Sequence, residues 1–338
     1  MNQKKFLNKI KKIENKININ KLRYANFNYW PFVRLKILNK YNKVINVNKE
    51  SKRSILFLLL MFINLSIKYI KQPLKKESVD VLFFTRSSEN QDIIDGKLFN
   101  KYSDSFIHYY SSFYNIKVIE NYDFKTLPNI ERFNKKITHI FFLIFLLKIK
   151  FFIKNFFIKK KISFVQLNNE INKNFNFRID IENELFWIDY LANFYEKILK
   201  QYKPKIVFLV CFYRTDGMAL SLACSRLKIN LVDYQHGSQN DFHPMYSNWN
   251  SVPKEGYEII PDYFWMWGNI FAKKIKIWSS IINKHNTFVG GNLWFSFVKS
   301  NNFPYTMGIN KTNLFFNDNK KNTILFTLQG DDYFPDFL

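Results

Sequence analysis

The stretch "NLVDYQHGSQNDFHPMY" (Asn230–Tyr246) carries two of the chain's five histidines. His236 follows an apolar run directly, and Gly237 after it permits a sharp turn. Such a turn would hold the imidazole at the crest of a sheet, where it can take a proton from a hydroxyl near neutral pH. Asp233 or Asp241 is placed to orient it. The plainer alternative is a loop histidine bonded to a backbone group. His243 and Tyr246 come seven and ten residues on. Two histidines seven apart offer no convincing third ligand, so no metal is expected. Asp331-Asp332 falls short on the same ground. His108 and His139 read as structural, and His285 precedes a strand at the opposite end of the sheet.

The elements around this stretch read as a parallel sheet. "VDVLFFT", "NIKVIE", "KPKIVFLVCF", "NLVDY", "PDYFWMWG" and "NTFVGG" are near-continuous apolar strands. The later ones alternate with helices, one of about 20 residues from Glu182 and one with Thr215 or Asp216 as its N-cap. This is an α/β pattern with both sheet faces covered. Ligands bind beyond the carboxyl ends of such strands. The polar groups predicted there are Arg86-Ser87-Ser88-Glu89, Tyr213-Arg214-Thr215-Asp216, Gln235-His236-Gly237, Trp267-Gly268-Asn269 and Gly290-Gly291-Asn292. There is no Walker loop, no GxGxxG and no GxSxG.

Residues 1–77 read as a basic, partly apolar helical extension. Phe6, Ile10 and Ile13 recur at helical spacing among lysines, and a second helix opens at Pro31. Ser54–Ile70 is the strongest apolar run, uncharged for 14 residues. A spanning helix needs about 20, so this reads as an interfacial or buried helix. Residues 78–309 form the predicted Rossmann-like domain, with a basic apolar helix inserted at 139–161. Residues 310–322 read as a linker, and Thr323–Gly330 as the first strand of a second domain that ends eight residues later.

The net charge of +24 is confined to residues 1–77 and 134–161, both rich in Ile, Leu and Phe. Only 8 of the 51 basic residues are Arg. Arg is the residue suited to bidentate contacts with bases and phosphates, so a nucleic-acid partner is not expected. Lysines beside Phe and Ile suit an anionic membrane surface instead. Cys211 and Cys224 form no CxxC and read as buried thiols. The N-terminus lacks an apolar signal core, which predicts a cytoplasmic chain, peripheral at the inner membrane face.

The ordered set "QHG", "HPMY", "PDYFWMWG" and "VGGN" resembles bacterial surface-polysaccharide glycosyltransferases of the two-Rossmann (GT-B) architecture, the capsule and lipopolysaccharide type. "DYQHG" is similar to the "WHG" element of the glycerophosphate polymerases of teichoic acid synthesis. "NYWPFVR" and "GKLFNKYSDS" are similar to N-terminal segments of the capsule group. The resemblance covers roughly Asn26–Gly330. It implies the N-terminal, acceptor-side half of that architecture, with His236 as general base. Gln235, Gly237, Asp241, His243, Tyr246, Arg214 and Asp216 would serve the acceptor. Gly268, Gly290, Gly291, Asn292 and Gln329 would lie on the donor side or in the cleft. The substrates implied are a nucleotide-sugar and a glycan or lipid-linked acceptor, with no cofactor and no metal. The reaction would be direct displacement at the anomeric carbon. Because only the first strand of the donor domain is expected, two other readings stand beside transfer. One is an inactive acceptor-binding remnant at the membrane surface. The other is a glycerophosphate-type phosphotransferase.

Overall fold

Apolar runs at Val81–Arg86 (β3), Ile206–Val210 (β8) and Asn230–Tyr234 (β9) are buried almost throughout, as strands covered on both faces must be. They form the middle of a seven-stranded sheet in the computed structural model, which describes residues 3–45, 77–87, 91–94, 96–121, 131–157, 162–239 and 241–300. The other strands are β6 (Ile116–Asn121), β7 (Ile137–His139), β10 (Tyr263–Met266) and β11 (Asn286–Val289). Every pairing is parallel, in the order β11-β10-β9-β8-β3-β6-β7. The chain steps outward from β3 through β6 to β7, returns to the other side of β3, and steps outward again. This is the doubly wound, Rossmann-like order, with its switch point between β3 and β8. The expected α/β parallel sheet is the one observed.

The helices are α1 (Gln3–Glu14), α2 (Trp30–Ile45), α3 (Ser103–Tyr110), α4 (Phe141–Phe157), α5 (Val165–Phe175), α6 (Glu182–Tyr202), α7 (Thr215–Leu227), α8 (Asn269–Ser279) and α9 (Leu293–Lys299). Side chains alternate across each strand, so two cores form. One joins Leu82, Phe84, Val207, Leu209 and Leu231 to α1, α2 and α4–α8. The other joins Phe83, Phe208, Val232 and Tyr234 to α3 and α9. Helix α6 has Glu182 and Glu184 in its first turn, complementing the helix dipole, and stops at Lys203 in the left-handed region before Pro204.

Several expectations change. Phe6, Ile10 and Ile13 are fully buried in the protein core, so the apolar face of α1 is not available to a membrane. Periodicity defines an apolar face but not what covers it. The segment 139–161 begins as a strand end: His139 closes β7, and its Nδ1 lies 3.2 Å from the buried Glu120. Two short hairpins, β1–β2 (Arg23–Tyr24, Phe27–Asn28) and β4–β5 (Gln91–Ile94, Lys97–Asn100), were not signalled. Helix α7 is capped by the extended residue Arg214 without a side-chain bond, not by Thr215 or Asp216. Cys224 is buried but Cys211 only partly so. Ser54–Ile70, the 310–322 linker, Thr323–Gly330, Gln329, Asp331-Asp332, Ser88 and Glu89 lie outside the described residues. No described helix is long and apolar enough to cross a membrane.

Candidate functional site

Two turns at the carboxyl end of the sheet build the candidate site. After β8 the chain bends sharply at Cys211, which takes a left-handed backbone (φ +67°), so that Phe212, Tyr213 and Arg214 rise above the sheet. The N-terminus of α7 then packs against this bend so closely that a Cβ on Gly217 would sit 2.6 Å from the Phe212 carbonyl oxygen. After β9 the chain continues through Gln235 to His236. Gln235 is buried and latches the turn. Its amide accepts from the Trp267 backbone N–H at 2.7 Å and donates to the Gly237 carbonyl at 2.9 Å. Gly237 itself does not take a left-handed backbone, and a Cβ there would meet nothing within 4 Å. The chain nevertheless bends at Gly237, as expected, without needing a left-handed backbone there.

The imidazole of His236 is half-buried. Tyr213 Oη lies 3.2 Å from its Nε2, and Tyr102 Oη donates to its backbone carbonyl at 3.0 Å. Neither expected carboxylate orients the ring. Asp233 is fully buried below it and accepts the Tyr246 hydroxyl at 2.6 Å. Asp241 is exposed and pairs with Lys274. Burial pushes the Asp233 carboxyl up to about 7, against the Tyr246 hydrogen bond and the backbone N–H groups of Cys211 and Phe212. Burial keeps the Tyr213 phenol protonated far above its ordinary range. His243 packs edge-on to Tyr213, with ring centroids 5.3 Å apart, and 4.8 Å from Tyr246. Its Nδ1 accepts from the Met245 N–H at 3.3 Å. Burial, followed by repulsion from His236, lowers its pKa to about 4, so it is a neutral ring at pH 7. Tyr246, placed among the expected acceptor contacts, is 1% exposed with its hydroxyl committed to Asp233.

Beside this cluster, Arg86 at the end of β3 and Arg214 after β8 both pair with Asp216, at 3.0 and 3.3 Å. Burial raises the Asp216 pKa, but Arg214 and Arg86 outweigh it and hold the carboxyl below its usual range. These residues line a cleft of about 680 Å³ that also touches Tyr213 and reaches α2, α4 and α6. The cleft lies over the β3/β8 switch point. A second cleft of about 710 Å³, lined by Asp104, His108 and Lys136, lies beside the opposite ends of β6 and β7. Gly268, Gly290, Gly291 and Asn292 fall at the carboxyl ends of β10 and β11, and two have a structural reason. A Cβ on Gly290 would collide with the Trp265 ring, and the Asn292 side chain caps α9 by accepting from Phe295 N–H.

The loop that follows His236 is tied down from the other end of the chain. Arg34 on α2 is fully buried and donates to the carbonyls of Ser247 at 2.8 Å and Asn248 at 3.0 Å. Its guanidinium stacks on Trp249 and pairs with the buried Glu14 of α1. Arg34 and Tyr102 were not singled out by sequence, whereas Tyr213 was expected among the polar groups at the strand ends. Nothing local to "PFVRLKIL" marks its Arg as buried, because its carbonyl partners lie more than two hundred residues on.

No group of His, Cys, Asp and Glu among the described residues is arranged to hold a metal ion. No protein-family model and no curated protein sequence matches the chain. Among solved structures, the chain is similar to the UDP-GlcNAc 2-epimerase from Neisseria meningitidis bound to UDP-GlcNAc (12% identity, 64% of this chain and 47% of that one, TM-score 0.33). It is likewise similar to that of Methanocaldococcus jannaschii (15% identity, 70% and 52%, TM-score 0.33). A third is that of Rickettsia bellii (12%, 64% and 46%, TM-score 0.33). The chain spans about half the length of the solved structures it matches.

Proposed function

We propose that this chain is the acceptor-side half of a GT-B glycosyltransferase of bacterial surface-polysaccharide (capsule or lipopolysaccharide) synthesis. It would transfer a sugar from a nucleotide-sugar to a glycan or lipid-linked acceptor. The observation that supports this most is the setting of His236: a half-buried imidazole past the end of β9, with its Nε2 facing a phenol that stays protonated. In the reaction, an acceptor hydroxyl beside Tyr213 loses its proton to His236 Nε2 as its oxygen attacks the anomeric carbon. The C–O bond to the leaving diphosphate breaks, and the imidazolium carries the proton away. Tyr213 positions the ring. Neutral His243 keeps a second positive charge out of the site as the imidazolium forms.

The exposed face of α4 supports attachment to an anionic membrane. Leu146, Ile149, Phe152 and Ile153 share one arc, flanked by the exposed Lys148, Lys150 and Lys154.

The test is transfer of labelled sugar from nucleotide-sugars to cell-derived glycolipid by the full natural protein. His236→Ala is expected to lower kcat by about 100-fold or more, the usual worth of a general base. Retention of kcat within about threefold would remove His236 from the chemistry.

A further inference from the structure

We infer that the cleft over the β3/β8 switch point is a subsite for a phosphate-bearing sugar of the acceptor. The inference rests on the acceptor-side reading and adds to it the charge of the substrate. Position comes first: the crevice where strand order reverses is where doubly wound sheets take ligands, and here no glycine-rich phosphate loop follows β3. The anion must therefore be held by side chains. Among the described residues lining the cleft, Lys36, Arg86, Lys148 and Arg214 are cationic and only Glu184 and Asp216 are acidic. Lys36 is matched by Glu184. Asp216 is shared by two guanidiniums, which its carboxylate holds side by side. Lys148 is exposed on α4 and extends the positive wall.

A pair of guanidinium forks fixed in this way suits the oxygens of a phosphate. The rest of the lining suits a sugar. Trp187, Tyr195 and Tyr213 supply flat apolar surface, and Asn39, Asn42 and Asn121 supply amides. A volume of about 680 Å³ is ample for a sugar phosphate. Tyr213 joins the two halves of the site, because its ring lines the cleft while its hydroxyl contacts His236 Nε2. A phosphate anchored on Arg86 and Arg214 leaves its sugar against the aromatic lining of the cleft, with Tyr213 between it and His236.

The test is calorimetric titration of the full chain with glucose 1-phosphate, inorganic phosphate and glucose, with no donor present. Glucose 1-phosphate is expected to bind more tightly than inorganic phosphate, and glucose not detectably. Arg86→Gln should weaken the sugar phosphate by about tenfold, the scale of one charge-assisted contact. Lys148→Glu should weaken it by about threefold or more through charge reversal at the rim. Lys148 is exposed, so this variant remains decisive if Arg86→Gln does not fold. Equal binding of glucose and glucose 1-phosphate would overturn the subsite. So would equal binding of inorganic phosphate, or unchanged affinity in Lys148→Glu. Sugar-phosphate binding without any transfer would retain the subsite and remove the transferase reading. Transfer to a neutral glycan with no sugar-phosphate binding would do the reverse.

Discussion

Asp233 lies beneath the aromatic cluster, and its charge state affects both the site and stability. In the folded chain burial raises its pKa to about 7, whereas its ordinary value is 3.8. Between those values the native state holds a proton that the unfolded chain has released. Its contribution to stability is therefore full below about pH 4 and is lost as pH rises through 7. Asp233→Asn removes this dependence while keeping an oxygen for the Tyr246 hydroxyl. Urea unfolding of both proteins across pH 4.5–8 should show the variant gaining on wild type by up to about 1.4 kcal/mol per pH unit below pH 7. A pH-independent difference would mean that the carboxyl is charged throughout. His243 and His285, whose pKa values burial lowers, push the other way, but they cancel in the comparison. At this scale the sequence made the position of His236, just past the end of β9, legible. It was not legible for Asp233 and Tyr246. Their 2.6 Å hydrogen bond joins positions 13 apart, and neither residue type announces burial.

At the scale of elements, α1 and α2 act as a brace for the loop carrying His243. Glu14 accepts from Trp30 Nε1 at 2.9 Å and from the Asn250 amide at 2.8 Å, while Arg34 holds Ser247 and Asn248. The Glu14–Arg34 pair itself is fully buried, so the two charges depend on each other. Arg34→Met leaves the Glu14 carboxylate buried without its counter-ion and should cost about 3–5 kcal/mol by urea unfolding. The double variant Glu14→Gln/Arg34→Met should recover part of that loss, as coupled neighbours do. A double variant whose loss equals the sum of the Glu14→Gln and Arg34→Met losses would mean that the pair is not coupled. The buried strands β3, β8, β9 and β10 were legible because they are short, mostly apolar runs of four to six residues bounded by polar loops. β7 was not, since three residues leading into a helix carry no strand period of their own. The brace was not legible either, because its partners are more than two hundred residues apart.

Across the whole molecule the sheet is clothed unequally, with α3 and α9 on one face and the remaining described helices on the other. Helix α4 lies on the fuller side and ends in an exposed apolar patch, with Phe152 75% and Ile153 55% exposed. Phosphatidylglycerol-containing vesicles should therefore retain the chain at low salt and release it at about 0.5 M, where the Debye length has contracted to a few ångströms. Phe152→Glu with Ile153→Glu should reduce partitioning by about tenfold or more. Binding that is indifferent to both changes would assign the +24 charge no membrane role. The fold class was legible from strand–helix alternation alone, whereas the brace between distant segments has a consequence in time. Arg34 finds its carbonyl acceptors 213 and 214 positions later. A ribosome adding about 5–20 residues per second needs roughly 10–40 s to reach them. Until then the nascent helices carry Phe6, Ile10 and Phe32 without the covering that finishes their core. These helices, made long before residues 247–248, are thus among the last to settle, and a stalled chain lacking residues 247–248 should be a strong client for chaperones.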